Sequence, residues 1–196
     1  MSRNRRNYTT ALFGFDAVVR RVPGDRWAEA TCCEGWCARD VVVHSVGVGT
    51  ALASMAETGE LALPATPEPE HDVVAQWTAS RDRVLEALDR PGVLDQVGRY
   101  WIGESTIDDL LGFAQWDPLI HTWDLATAVG LPPLVDQRVA EAALAVIEPM
   151  AEGLRKRHLI GEPVEMPADA DPMTRLLGVT GRCPPVSDTS EPERPN

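Results

Sequence analysis

Positive charge is scarce in this 196-residue sequence. The chain carries 18 lysine and arginine residues against 30 aspartate and glutamate residues, for a formal net charge of −12. Nucleic-acid binding needs a basic surface that contacts the phosphates, and docking on anionic lipid needs one as well. The charge balance therefore predicts a protein that binds neither nucleic acid nor a membrane surface.

Long apolar runs and several familiar motifs are missing as well. No run approaches the ~18 apolar residues of a transmembrane helix. No apolar segment of the signal-peptide type follows the basic start at residues 1–6. The sequence also lacks a P-loop, a Gly-x-Ser-x-Gly turn and a His-Glu-x-x-His zinc motif. We expect a soluble cytoplasmic protein.

Cysteine is rare, and its four copies are unevenly placed. Cys32, Cys33 and Cys37 lie close together, whereas Cys183 lies near a Pro-rich end. This spacing does not form the disulfide framework of a small secreted domain. Because the start of a helix lowers the pKa of a thiol, Cys33 and Cys37 are candidate reactive thiols. Ordinary buried thiols, or zinc ligands acting together with His44, are the alternatives.

Helical periodicity of apolar residues dominates the chain. The pattern predicts helices over residues 8–22, 38–58, 70–89, 105–129, 135–157 and 172–179. No strands alternate with them, so we predict an all-α class, most simply a four-helix bundle with additional C-terminal helices. Residues 91–104 are predicted to be irregular, with a short extended piece at 100–102. Large apolar residues become scarce at the end, so the predicted domain spans 1–182 and a disordered tail spans 183–196.

An apolar stripe on the predicted helix over 105–129 leads to two side chains that can bind a metal. Ile107 and Ala114 belong to the stripe, and Asp117 and His121 continue it at the same rhythm. Residues four apart on a helix share a face, so this carboxylate and this imidazole can converge on one ion.

A third candidate ligand lies on another predicted helix. His44 comes three residues after Val41 and four before Val48, at the border of an apolar face. Two histidines and a carboxylate from facing helices form metal sites in bundles, and three protein ligands leave a divalent ion an open position. The alternative is a set of polar core residues that satisfy one another.

Pro118 leaves the role of Asp117 open. Proline lacks a backbone N–H and disfavours helical geometry in the residue before it. The helix either kinks here, or it ends and restarts with Asp117 as N-cap, in which case Asp117 need not touch a metal. Asp124 is a second carboxylate, about 60° from His121 in the other sense around the helix.

Three sequence motifs resemble a known family. Trp27 precedes the motif TCCEGWCARDVVVH, which ends at His44; DPLIHTWDLA begins at Asp117; and ADPMTRLL, from Ala170, is followed by Gly181-Arg182. Together they resemble the DinB-like metalloproteins, in the actinobacterial branch related to the metal-binding domain of mycothiol-dependent maleylpyruvate isomerase. The resemblance implies a DinB-like four-helix bundle that binds a divalent metal, commonly zinc, through His44, Asp117 and His121. It also implies mycothiol as a cosubstrate.

These observations together predict a metal-dependent thiol transferase or isomerase that acts on a small electrophilic molecule. Its partners would be that substrate and a low-molecular-weight thiol, and the chain would be a monomer or a homodimer. Glu34, Arg39 and Asp124 are candidates for orienting the ligands or touching the substrate. The alternatives are a non-catalytic module that binds a metal or another ligand, and a redox sensor built on the cysteines near Trp36.

Overall fold

The computed structural model describes residues 1–60, 72–100 and 103–184. Within these residues the chain is mostly helical, which confirms the predicted all-α class. The helices are α1 (Arg3–Val19), α2 (Ala38–Thr58), α3 (Val73–Asp89), α4 (Ile107–Ala114), α5 (Trp116–Ala128), α6 (Gln137–Ile147), α7 (Ala151–Lys156) and α8 (Pro172–Val179). The strands are β1 (Val97–Tyr100) and β2 (Gly103–Thr106).

Short polar side chains cap the N-termini of most of these helices. Ser2, Asp72, Thr106, Asp136 and Asp171 each accept a hydrogen bond from a backbone N–H of the first turn. Such caps satisfy donors that have no partner inside the helix, and each stabilises its helix by about 0.5–2 kcal/mol.

Two predicted long helices are each divided in the structure. The helix predicted over 105–129 is α4 followed by α5, with Gln115 between them. The helix predicted over 135–157 is α6 followed by α7, and a 3₁₀ turn over Glu148–Met150 separates the two. Pro149 lies in that turn, where its missing N–H breaks the α-helical hydrogen-bond pattern.

The region before α4 forms a small hairpin that the sequence pattern did not predict. Strands β1 and β2 are antiparallel, with Val97 opposite Thr106 and Tyr100 opposite Gly103. Of the extended piece expected at 100–102, Tyr100 ends β1, and residues 101–102 lie outside the described residues.

The C-terminal tail is described only at its start. Cys183 and Pro184 have no regular secondary structure, and residues 185–196 of the predicted tail lie outside the described residues. The domain boundary at residue 182 stays a prediction.

Two apolar clusters form the core, and α5 contributes to both. The first cluster packs α1 to α5 together and includes Phe15, Val41, Trp77, Ile107 and Leu125. The second packs α5 against α6 and α8 and includes Leu119, Ile120, Ala143, Ile147 and Leu176. Each fully buried Leu or Ile side chain stabilises the fold by about 1.5–3 kcal/mol. Helix α5 is therefore held on two sides, which fixes the positions of the polar side chains it carries.

Helix α2 is the one described helix that is long and apolar enough to cross a membrane, judged by length and composition alone. Of its most apolar 18-residue window, 56% is buried inside the structure. Helix α2 packs along α3 and α5. A core helix has the same length and composition, so this feature is weak evidence for a membrane span.

Candidate metal centre

Helices α2 and α5 bring His44, Asp117 and His121 together. Asp117 Oδ1 lies 3.1 Å from His44 Nε2 and 3.6 Å from His121 Nε2. One ligand atom from each residue lies within 4.8 Å of the other two. These are the residues that helical spacing selected, and their ligand atoms are close enough for one ion to reach all three.

The start of α5 shows whether Asp117 caps a helix or lies inside one. Helix α5 begins at Trp116 with Gln115 in the cap position, so Asp117 and Pro118 both lie in its first turn. The helix does break and restart, but earlier than an Asp117 cap would require. The Asp117 carboxylate faces the two imidazoles, and its side chain is only 13% exposed.

The second ring nitrogen of His121 is held from the opposite side. His121 Nδ1 lies 2.9 Å from Asp124 Oδ2, and an ionised carboxylate only accepts, so Nδ1 carries the proton that is donated. The Asp124 side chain is fully buried and also accepts hydrogen bonds from Arg182, from Nη2 at 2.9 Å and from Nε at 3.3 Å. This chain from Arg182 through Asp124 fixes both the tautomer and the ring orientation of His121.

The buried charges shift the ionisation of these groups strongly. Burial alone would favour neutral Asp117, but the charge of His121 and the hydrogen bonds of both imidazoles outweigh it and hold the pKa of Asp117 well below its usual range. Burial likewise favours neutral His121, but Asp117 and Asp124 outweigh it and raise the pKa of His121 to about 9. The two carboxylates therefore create a negative field that stabilises the protonated, positively charged form of His121.

An aromatic ring covers one side of the site. The ring centroid of Trp36 lies 5.1 Å from that of His44 and 6.1 Å from that of His121. The His121 side chain is 6% exposed, whereas the His44 side chain is 34% exposed. The site therefore opens toward solvent on the His44 side.

Two adjacent thiols lie on the far side of Asp124. Cys32 Sγ is 2.9 Å from Asp124 Oδ1, and Cys33 Sγ is 3.4 Å from Asp124 Oδ2. Arg182 Nη2 is 3.5 Å from Cys33 Sγ. Asp124 thus separates a histidine and carboxylate cluster from a thiol cluster.

Comparisons with known proteins identify the family. The family model described as the mycothiol maleylpyruvate isomerase N-terminal domain matches residues 10–126. This range contains His44, Asp117 and His121. The chain belongs to this family.

Two relatives extend the likeness beyond the matched range. The chain is 30% identical to two Mycobacterium tuberculosis proteins, the uncharacterized proteins MT0763 (strain CDC 1551) and Rv0738 (strain H37Rv). Each alignment spans 177 residues, which is 86% of this chain and 91% of the relative. No solved structure matches the chain significantly. The family is DinB-like, metal-binding and related to mycothiol, in agreement with the resemblance of the sequence motifs.

Of the other predicted site residues, only some lie in contact with the two clusters. Asp124 adjoins His121, whereas Glu34 is exposed in the loop before α2, and Arg39 is half-buried in the first turn of α2. Cys37 is the N-cap of α2, where its N–H donates to Asp40 Oδ2 at 2.9 Å. Within the described part of the chain, the thiol cluster groups Cys32 and Cys33 with Asp124, without Cys37 or His44.

Sequence reasoning did not select Arg182 as part of the site. It follows α8, and 58 positions separate it from Asp124. No helical periodicity connects residues so far apart. The signal in the sequence was the Gly181-Arg182 pair in the third family motif, which by itself did not indicate a contact.

Proposed function

We propose that this protein is a metal-dependent enzyme that transfers or adds the sulfur of a low-molecular-weight thiol to a small electrophilic molecule. The observation that carries the proposal is the convergence of His44, Asp117 and His121 at a partly open site. The family supports mycothiol as the thiol. A substrate of this kind favours a cytoplasmic location, since low-molecular-weight thiols keep that compartment reducing.

The residues present fit a divalent metal. Two imidazole nitrogens and one carboxylate oxygen form a donor set that suits zinc, the ion we propose, and also several other divalent ions. Donation from His121 Nδ1 to Asp124 directs Nε2 toward Asp117, where a bound ion would take the place of the Nε2 proton. The negative field that attracts a proton to His121 attracts a divalent cation for the same reason.

The chemistry follows from what such an ion does to sulfur. When bound, a divalent ion deprotonates a coordinating thiol and so supplies a thiolate nucleophile at neutral pH. The Trp36 ring shields one side of the site from water. Asp124 holds the proton on His121 Nδ1, and the exposed edge at His44 gives the thiol and the electrophile a path to the site.

Elemental analysis of the purified protein tests the metal site. The parent should carry near-stoichiometric metal, and the variants His44→Ala, Asp117→Ala and His121→Ala should lose most of it. The control is His158→Ala, because His158 is an exposed histidine after α7. Full metal content in His121→Ala would contradict the assignment of ligands.

A thiol-consumption assay separates an enzyme from a binding module. Metal-loaded protein, mycothiol and a panel of small electrophiles should give thioether or isomerised products, and the His44→Ala variant should lose this activity. Stoichiometric metal without any product across the panel would favour a non-catalytic metal-binding module.

A further inference from the structure

Hydrogen bonds fix the loop that carries Cys32 and Cys33, and the proposed function does not use these two thiols. Cys32 and Cys33 lie in a loop closed by the hydrogen bond from Thr31 N–H to the Trp36 carbonyl, at 3.0 Å. The Thr31 hydroxyl also accepts from the Cys33 N–H, at 3.1 Å. These bonds hold the loop so that both sulfur atoms lie against Asp124.

The charge at this cluster favours a thiolate over a second metal ion. The Arg182 guanidinium already occupies the cationic position beside Cys33 and Asp124. A metal ion would have to displace that cation or be repelled by it. A thiolate is instead stabilised by an adjacent arginine.

The two thiols are unequal. Cys32 Sγ lies 2.9 Å from Asp124 Oδ1, and the negative charge of that carboxylate favours the protonated thiol. The hydrogen bond from Cys32, together with the charges of Arg182 and His121, lowers the pKa of Cys33 against the opposing effects of burial and Asp124. The bond with Cys33, burial and Asp124 raise the pKa of Cys32. Cys33 is therefore the nucleophile of the pair.

We propose that Cys33 is a covalent capture site for the disulfide of a low-molecular-weight thiol. The Cys33 thiolate attacks one sulfur of the disulfide, so that a Cys33 Sγ–S bond forms and the original S–S bond breaks. The departing thiolate takes a proton from water. The small disulfide is the oxidant, and the protein thiol is oxidised to a mixed disulfide.

Geometry favours a mixed disulfide over a bond between the two neighbouring cysteines. Adjacent Cα atoms lie about 3.8 Å apart across a trans peptide, whereas disulfides usually join Cα atoms about 4.4–6.8 Å apart. A Cys32–Cys33 bond would therefore be strained. Cys33 is only half-buried and Cys32 is exposed, so a small disulfide has access to the pair.

The captured group would sit beside the proposed metal centre. Cys33 Sγ is 3.4 Å from Asp124 Oδ2, and the same oxygen is 2.9 Å from His121 Nδ1. Capture removes the negative charge from the sulfur and leaves Arg182 to Asp124 alone. The exchange itself needs no metal, so this proposal goes beyond the proposed function and stands apart from it.

Mass spectrometry of the full chain tests the proposal. The reduced protein is treated with bis(2-hydroxyethyl) disulfide, and the modified cysteines are mapped over time. We expect a single mixed disulfide at Cys33, formed about tenfold faster than at the exposed Cys183, because the thiolate is the attacking form. Equal rates at both positions, earlier modification of Cys183, or a Cys32–Cys33 disulfide would overturn the proposal.

Matched variants identify the cause of the reactivity. Cys32→Ser should still capture the probe, and Cys33→Ser should lose the fast phase. Arg182→Gln should slow capture at Cys33 severalfold, whereas Arg175→Gln, which changes an exposed arginine on α8, should not. Circular dichroism and urea unfolding of Arg182→Gln, compared with the parent, show whether the variant is folded. An unchanged rate at Cys33 in that variant would overturn the role of Arg182.

Two further variants separate this proposal from the proposed function. His44→Ala should lose metal yet still capture the probe at Cys33, and Cys33→Ser should keep its metal. A parent protein that carries its metal but does not capture the probe at Cys33 would refute the capture site alone. A parent protein that captures the probe but carries no metal, even after a divalent ion is added, would refute the metal centre alone.

Discussion

Asp124 connects three groups that lie far apart in the sequence. It accepts from His121 and from Arg182, and the thiols of Cys32 and Cys33 lie against it. A buried carboxylate without partners would be costly, and these contacts offset that cost. Burial would by itself raise the pKa of Asp124, but the hydrogen bonds of His121 and Arg182 hold the pKa well below its usual range.

We expect Asp124→Asn to weaken metal binding about 10–100-fold, since the groups that orient a ligand contribute about that much to affinity. The variant removes the charge that orients and polarises His121, but it leaves the three proposed ligands in place. Competition with a chromogenic chelator measures the change. Asp25→Asn, at an exposed aspartate, is the control, and equal affinities in the two variants would contradict the prediction.

At the scale of the residue, the sequence predicts the three proposed ligands. It does not predict the contact between Arg182 and Asp124 that orients one of them. Asp117 and His121 are four residues apart, and His44 borders an apolar stripe, so helical period alone selects all three. The contact between Arg182 and Asp124 depends on how α8 packs against α5 and α6. That packing is a property of the tertiary structure, which no local period encodes.

At the scale of the element, the break between α4 and α5 shows that an apolar pattern can predict a helix without predicting where it is interrupted. The apolar stripe continues through Gln115, so periodicity alone predicts one long helix. Proline is accommodated in the first turn of a helix, where its missing N–H has no intrahelical partner to lose. The restart at Trp116 places Pro118 in such a turn. The sequence had left open a restart with Asp117 as N-cap, whereas the observed cap is Gln115. The β1–β2 hairpin was missed because its strands lack regular alternation.

Two helical glycines should respond to alanine in opposite directions. A Cβ at Gly14 in α1 would lie 2.5 Å from the backbone oxygen of Leu134, so the loop before α6 would have to move. A Cβ at Gly153 in α7 would meet nothing within 4 Å. We expect Gly14→Ala to lower the free energy of unfolding by about 1–3 kcal/mol. We expect Gly153→Ala to raise it by about 0.5–1 kcal/mol.

Urea unfolding followed by circular dichroism measures both changes. The two substitutions add the same methyl group, so the comparison isolates the close approach of Leu134 to α1 from the general preference of helices for alanine. A stabilised Gly14→Ala variant would show that the approach is not as close as the structure has it.

At the scale of the whole molecule, acid unfolding should depend in part on a buried carboxylate that joins α1 to α3, in addition to Asp117 and Asp124. Asp16 accepts from Arg20 Nε at 2.8 Å, from Trp77 Nε1 at 3.0 Å and from Arg81 Nη1 at 2.5 Å. Burial opposes its ionisation, but the hydrogen bonds of Arg20 and Trp77 and the charge of Arg81 hold the pKa of Asp16 below the usual 3.8. A lowered folded-state pKa stabilises the protein above the unfolded value, and this contribution disappears as pH falls through the folded value.

We expect Asp16→Asn to lower the free energy of unfolding at neutral pH by about 1–3 kcal/mol, because charged hydrogen bonds are replaced by weaker ones. The variant should also lose part of the parent's decline in stability below pH 3.8. Urea unfolding at neutral pH and in acid measures both effects. Parallel losses in parent and variant on acidification would contradict the assignment to Asp16.

The family match ends at residue 126, just after Asp124, whereas Arg182 follows α8. A fragment cut at the end of the match would keep every proposed ligand. It would also strip α6 and α8 from the apolar face of α5 and leave the Asp124 carboxylate without its arginine. A later segment taken from a relative would therefore restore this arrangement only if it placed a cation beside Asp124. The segment that has to stay together, which runs through Arg182, is therefore longer than the segment that carries the three proposed ligands.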